Sequence, residues 1–139
     1  MREIKFRGKC TPEFPHPTVK WVYGSLVSDS KKKKKTVLIC VHLPVPTRDG
    51  NTFWYEVYAD TVGQYTGLKD SEGKEIYEGD VIQIVTKNPY WAFKKNYAVY
   101  WDLDGFCLEG EPLYYWFKLH DLKVIGNAHD NPELLERMI

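Results

Sequence analysis

The sequence is short of cysteine, methionine and alanine and has no long apolar run, and each shortage closes off a class of protein. Its three cysteines, Cys10, Cys40 and Cys107, are odd in number, widely spaced and without a CxxC pair. That rules against a disulfide framework and a standard zinc module, and fits reduced thiols in a cytosol. The opening Met-Arg-Glu-Ile-Lys-Phe-Arg interleaves charge with apolar residues, so neither a signal peptide nor a bilayer span is expected. No glycine loop ends in Gly-Lys-Ser/Thr, and no GxSxG elbow presents a serine. There is no net charge either, 19 Lys and Arg balancing 19 Asp and Glu.

Smaller constellations meet the same objection. Cys40 and His42 fall on one face of a strand, and Cys10 with His16 would complete four ligands, but the spacings match no frequent zinc pattern. Asp102, Asp104, Glu109 and Glu111 form a carboxylate-rich stretch suited to a hard cation or an acid–base pair. A hairpin with acidic ends explains them equally well. His120 beside Asp121 reads as a surface or capping pair. No enzyme, metal or cofactor is expected.

What is abundant is aromatic. Ten Tyr, five Trp and six Phe are spread over nearly all of the 139 residues, which disfavours disorder outside short loops and favours pleated, half-buried surfaces over helices. The fold class expected is all-β. Residues 3–7 alternate, with Ile4 and Phe6 on one face, and Gly8 ends that strand. Three prolines in Thr11-Pro-Glu-Phe-Pro-His-Pro make 9–18 an extended surface loop. Trp21–Val27 and Thr36–Leu43 bracket a polar stretch and predict an antiparallel hairpin with Lys31, Lys32, Lys33, Lys34 and Lys35 near its tip. Phe53–Ala59 is a third run. After Asp60 the strands shorten and glycines punctuate them, a texture that predicts a small barrel. Asn131-Pro-Glu-Leu-Leu-Glu supplies a cap, a first-turn proline and early acids, so one short helix is expected near 131–137. The chain reads as a single unit, 1–139, with an N-terminal β-rich lobe at 1–60 and the barrel plus terminal helix at 61–139.

Thr61-Val-Gly-Gln-Tyr-Thr-Gly-Leu-Lys-Asp, continuing to Gly73-Lys-Glu-Ile-Tyr-Glu-Gly-Asp-Val81, resembles the hallmark of the YopX-like family of phage and prophage proteins. The start, Met1-Arg-Glu-Ile-Lys-Phe-Arg-Gly with Trp21-Val-Tyr-Gly-Ser-Leu, and the end, Val124-Ile-Gly-Asn with Asn131-Pro-Glu-Leu-Leu, are similar to it as well. The resemblance implies a protein of a phage or prophage acting in the cytoplasm of its bacterial host, with an SH3-like barrel in its C-terminal half. It implies no catalytic residue. The local explanation of the hallmark is geometric: Gly63, Gly67, Gly73 and Gly79 stand where short strands turn or backbones approach, while Asp70 and Asp80 accept bonds from turn amides.

Binding is therefore the functional class expected. Trp54, Tyr55, Trp91, Trp101, Tyr114, Tyr115 and Trp116 exceed what the inner strand faces should bury. Tyr90 and Trp91 lie beside Lys94 and Lys95, and Tyr114, Tyr115 and Trp116 lie beside Lys118. Rings next to lysines suit stacked bases and phosphates, and suit a protein interface too. Residues 1–61 hold 11 Lys and Arg against 6 Asp and Glu, and residues 62–139 hold 8 against 13. An acidic second half argues against a broad basic face. The first expectation is a non-enzymatic module that binds protein, either a second copy in a homo-oligomer or a phage or host factor. The alternative is a nucleic-acid-binding small barrel using the lysine hairpin and the aromatic–lysine segments. Lysines clustered with exposed rings would favour the alternative; an apolar patch without them would favour protein.

Overall fold

A computed structural model of the chain describes residues 3–12, 20–27, 36–42, 52–86, 94–102 and 105–135. The chain divides into two units, Met1–Gln64 and Tyr65–Ile139.

The first unit is an antiparallel sheet of β1 (Phe6–Lys9), β2 (Trp21–Val27), β3 (Thr36–His42) and β4 (Thr52–Tyr58), in the order β4-β3-β2-β1. The two-residue period selects its core: Ile39 and Val57 are wholly buried, Val22 nearly so, with Val37, Val41 and Tyr55 packed against them. Trp54, between Tyr55 and Phe53, points outward and is 50% exposed. The expected β2–β3 hairpin is present, Val27 facing Leu38 and Ser25 facing Cys40. Its lysines, Lys31 to Lys35, lie outside the described residues. Gly24 marks where β2 changes partner, from β1 on one side of it to β3 on the other. A Cβ at Gly24 would collide with the Cys40 carbonyl.

The first strand runs later than its alternation suggests. Gly8 does not end it but pairs with Val22, and Lys9 pairs with Trp21, while Ile4 is left 68% exposed. Glycine is accommodated there because β1 lies directly over the core: a Cβ on Gly8 would sit 2.6 Å from the Val57 methyl. The proline-rich loop accordingly starts later too. Cys10 bridges to Val57 and donates its amide to the Lys20 carbonyl at 2.9 Å, and Thr11 donates to the Glu56 carbonyl at 3.0 Å. These bonds cover part of the outer edge of β4. After a 3-10 turn at Ala59–Thr61, Gly63 and Gln64, the first residues of β5 (Gly63–Lys69), pair with Arg7 and Phe6.

The second unit continues with β6 (Glu75–Tyr77), β7 (Asp80–Thr86), β8 (Lys94–Ala98), β9 (Tyr100–Asp102), β10 (Gly105–Leu108), β11 (Glu111–Pro112), helix α1 (Leu113–Leu119) and β12 (His120–Asn127). β5 pairs with β6 around a register shift, and two three-stranded antiparallel sheets follow, β12-β7-β8 and β11-β10-β9. One length of chain, Lys94–Asp102, serves both. It bends at Val99, whose amide donates to the Asp80 carbonyl and whose carbonyl accepts from Gly79, each at 2.9 Å. Ile76, Ile82, Ile84, Leu108, Leu113 and Leu122 lead the core.

Two features differ from expectation. Residues 131–137 do not make an α-helix among the described residues; Pro132–Leu135 is a 3-10 turn, and the Asn131 side chain reaches back to the Asn127 amide at 3.2 Å. The α-helix lies instead at Leu113–Leu119, in an aromatic segment whose composition favours strands. Leu113 is buried and Trp116 half-buried, three residues apart on one helical face, and the Trp116 indole N–H donates to the Leu108 carbonyl at 2.8 Å. Burying that face outweighs the modest β preference of the rings. Among the described residues the ladders do not close into a hydrogen-bonded barrel, and no helix is long and apolar enough to cross a membrane.

Candidate interaction surface

The hallmark segment builds the frame on which the candidate surface stands. Asp70 is buried and its carboxylate accepts three backbone amides: Glu72 at 2.9 Å, Lys74 at 2.8 Å and, from β12, Val124 at 3.0 Å. Ser71 adds two bonds to the Leu122 carbonyl, from its amide at 2.9 Å and its hydroxyl at 3.0 Å. The turn thus satisfies backbone groups along the outer edge of β12, which would otherwise be open to another strand. Asp80, 1% exposed, accepts the Tyr77 amide at 2.7 Å. Gly73 and Gly79 hold φ of 84° and 91°, values that a side chain would strain. Each of these contacts is structural, and none leaves a polar atom aimed at a ligand.

The exposed chemistry lies on α1 and β9. With Leu113 and Trp116 turned inward, α1 presents Tyr114 (57% exposed), Tyr115, Phe117 and Leu119 to solvent. The Tyr114 and Phe117 rings stack at 6.2 Å, and the Lys118 ammonium lies over Tyr114, 5.5 Å from its ring centre. Trp101 on β9 is half exposed and meets Phe106 edge-on at 4.8 Å. A cleft of about 230 Å³ opens beside these rings, walled chiefly by Leu68, Phe106, Pro112, Leu113 and Tyr114.

The residues singled out in the sequence divide sharply. Tyr114, Tyr115 and Trp116 come together on α1, the first two exposed and the third turned to the core. Lys95 is exposed on β8, and the backbone of Lys94 pairs beside it, in a sheet from which α1 is absent. Tyr90, Trp91 and Lys31 to Lys35 lie outside the described residues. Phe117, Leu119 and the cleft were missed. The signal for them was the three-residue spacing of Leu113 and Trp116, which in a helix turns Tyr114 and Phe117 outward as a second pair.

Among the described residues no cluster of three or more His, Cys, Asp or Glu stands ready to hold a metal. No disulfide joins Cys10, Cys40 and Cys107, and burial pushes the thiol of Cys10 above its usual range. Glu109 and Glu111 are exposed at a tight turn.

The fold and the surface together define a mainly antiparallel β protein whose accessible chemistry is apolar and aromatic. The sequence matches the family model for YopX protein over residues 6–136, and the chain belongs to that family. Its fold is similar to that in the crystal structure of protein EF1440 from Enterococcus faecalis, with a TM-score of 0.58 and 23% identity over 98% of this chain and 100% of that one. No curated protein matches.

Proposed function

We propose that this is a non-enzymatic binding or assembly module, encoded by a phage or prophage and acting in the host cytoplasm, that docks protein on the aromatic face of α1. One observation carries the reading: four large apolar side chains of a seven-residue helix face solvent, and the one cation among them, Lys118, is folded over a ring. Tyrosine and tryptophan are enriched where proteins meet, and a base-stacking platform needs cations free to reach phosphates. The finer fold belongs to this proposal as well. Side chains from β6, β7, β10, α1 and β12 share one interior, which supports reading the second unit as an SH3-like barrel opened at the Val99 bend.

A photo-crosslinking residue at Phe117, used in phage-carrying cells with nuclease treatment, tests the docking. The expected result is a discrete protein adduct that Tyr114→Glu abolishes. A nuclease-sensitive adduct would instead install the nucleic-acid alternative.

A further inference from the structure

Among the described residues no Asp, Glu, Lys or Arg lines the cleft beside α1, so a charged side chain pushed into it would lose water without meeting a counter-charge. Its occupant is neutral. Two polar side chains stand inside, and both are engaged: the Thr66 hydroxyl donates to the Ile76 carbonyl at 2.7 Å and accepts the Leu68 amide at 3.2 Å, and the Cys107 thiol contacts the Gly105 carbonyl at 3.6 Å. A hydroxyl or amide entering the cleft would find these partners taken. The occupant is therefore apolar as well.

Size narrows the choice further. The volume of about 230 Å³ lies between an apolar cavity of about 150 Å³, which holds benzene, and the sites of about 300 Å³ upward that hold drug-sized ligands. One six-membered ring with its linking carbon fills such a space. The walls suit a ring, since Phe106 and Tyr114 offer aromatic surface and aromatic pairs gain more than their buried area when an edge meets a face. Phe106 already meets Trp101 in that way, at 79°. The source of the ring follows from what adjoins the mouth, because α1 carries Tyr114 on the cleft wall and Tyr115, Phe117 and Leu119 exposed beyond it. A free molecule of one ring leaves that face bare. A protein covers both, placing an anchor in the pocket and excluding water with the contacts around it. We infer that the protein docked on α1 anchors itself by one phenylalanine side chain inserted in this cleft, its ring against Phe106 and Tyr114. The inference rests on the reading of α1 as a protein-docking face, and it names what the partner presents there.

N-acetylphenylalanine amide, titrated into the full chain and followed by backbone amide NMR, tests the cleft itself. Saturable shifts are expected at Leu68, Cys107 and Leu113. The phenylalanine amide should bind at least about tenfold more tightly than the corresponding lysine and glutamate amides, and more tightly than the leucine amide. Because no charge is involved, raising salt from about 0.05 to about 0.5 M should change its affinity by less than about twofold. Cys107→Phe, which fills the cleft with a ring of its own, should abolish the shifts. Tyr114→Ala, which removes a wall at an exposed residue, should weaken binding several-fold and decides the matter should Cys107→Phe fail to fold. The partner supplies the second arm: in the adduct formed in cells through the photo-crosslinking residue at Phe117, the partner's crosslinked segment should hold a phenylalanine whose change to Ala removes the adduct. Cys107→Phe should remove it too. The inference is overturned if no amide binds, if the charged or leucine amides bind as tightly, or if the adduct survives loss of the partner's phenylalanine or the filling of the cleft. In the case of a surviving adduct the docking face stands and only the anchor falls. Binding of the phenylalanine amide with no protein adduct at Phe117 overturns the docking reading and the anchor together, leaving a site for free molecules of one aromatic ring.

Discussion

Asp70 gathers three backbone amides on one carboxylate, and two of its bonds shape a turn while the third reaches across to β12. Each buried amide left without an acceptor costs about 1–3 kcal/mol. Only the bond to Val124 is buried, Glu72 and Lys74 being exposed residues whose amides water can reach, so Asp70→Ala should lower stability by about 1–3 kcal/mol in urea unfolding, and Asp70→Asn, which keeps one acceptor oxygen, by distinctly less. Equal losses would mean that the site senses shape and not hydrogen bonding. Glu109 shows the opposite situation. It holds φ of 45°, and Gly110 after it 79°, while Leu108 faces Glu111 across the turn. Both central residues of this two-residue hairpin thus have positive φ, a geometry that favours Asn-Gly and costs an ordinary side chain about 1 kcal/mol. Glu109→Asn should raise the urea midpoint by the equivalent of about 0.5–1 kcal/mol. A fall would show that the Glu109 side chain makes a contact worth more than the strain.

Elements were legible where one rule dominated. Alternation and turn residues located β2, β3 and β4, because a strand with one buried face must repeat every second residue. The helix was not legible, since aromatic composition argued for strand and only its inward pair, Leu113 and Trp116, argued for helix. Gly8 misled for a related reason: glycine usually signals a turn, but here it admits the Val57 methyl beneath a continuing strand, a long-range contact that local sequence does not encode. The candidate surface was half legible. Tyr114 and Tyr115 were foreseen, but the cleft needs β5, β10 and α1 brought side by side, which only the fold supplies. The β2–β3 hairpin yields a prediction at this scale. Among the described residues its pairing reaches Val27 and Leu38; a run of like charges suits solvent, and replacing Lys31 to Lys35 with Gly/Ser should leave the thermal midpoint nearly unchanged, within about 0.5 kcal/mol. Should the run serve nucleic acid, the variant would lose several units of logarithmic salt slope in DNA or RNA binding. The expected outcome is no slope to lose.

Across the whole molecule the two units differ in what holds them. Among the described residues the buried core of the second unit has nine members, Ile76 to Val124, and that of the first has three, Val22, Ile39 and Val57. Each fully buried aliphatic side chain contributes about 1.5–3 kcal/mol of transfer free energy, so the second unit should open last. Within it β7 and β12 share seven register pairs, His120–Thr86 through Asn127–Asp80, and bury Ile82, Ile84 and Leu122. Amide hydrogen exchange should therefore be slowest in β7 and β12 and faster in β1 to β4, reporting subglobal opening of the first unit. The Asp70 turn gives the experiment a finer edge. Removing its carboxylate frees the Val124 amide on the outer side of β12, so Asp70→Ala should speed exchange first at Val124, before the inward-bonded amides of β7. If β1 to β4 instead outlast β7 and β12 in the wild type, the larger buried cluster does not set the order of opening, and the first unit draws stability from contacts beyond the core described.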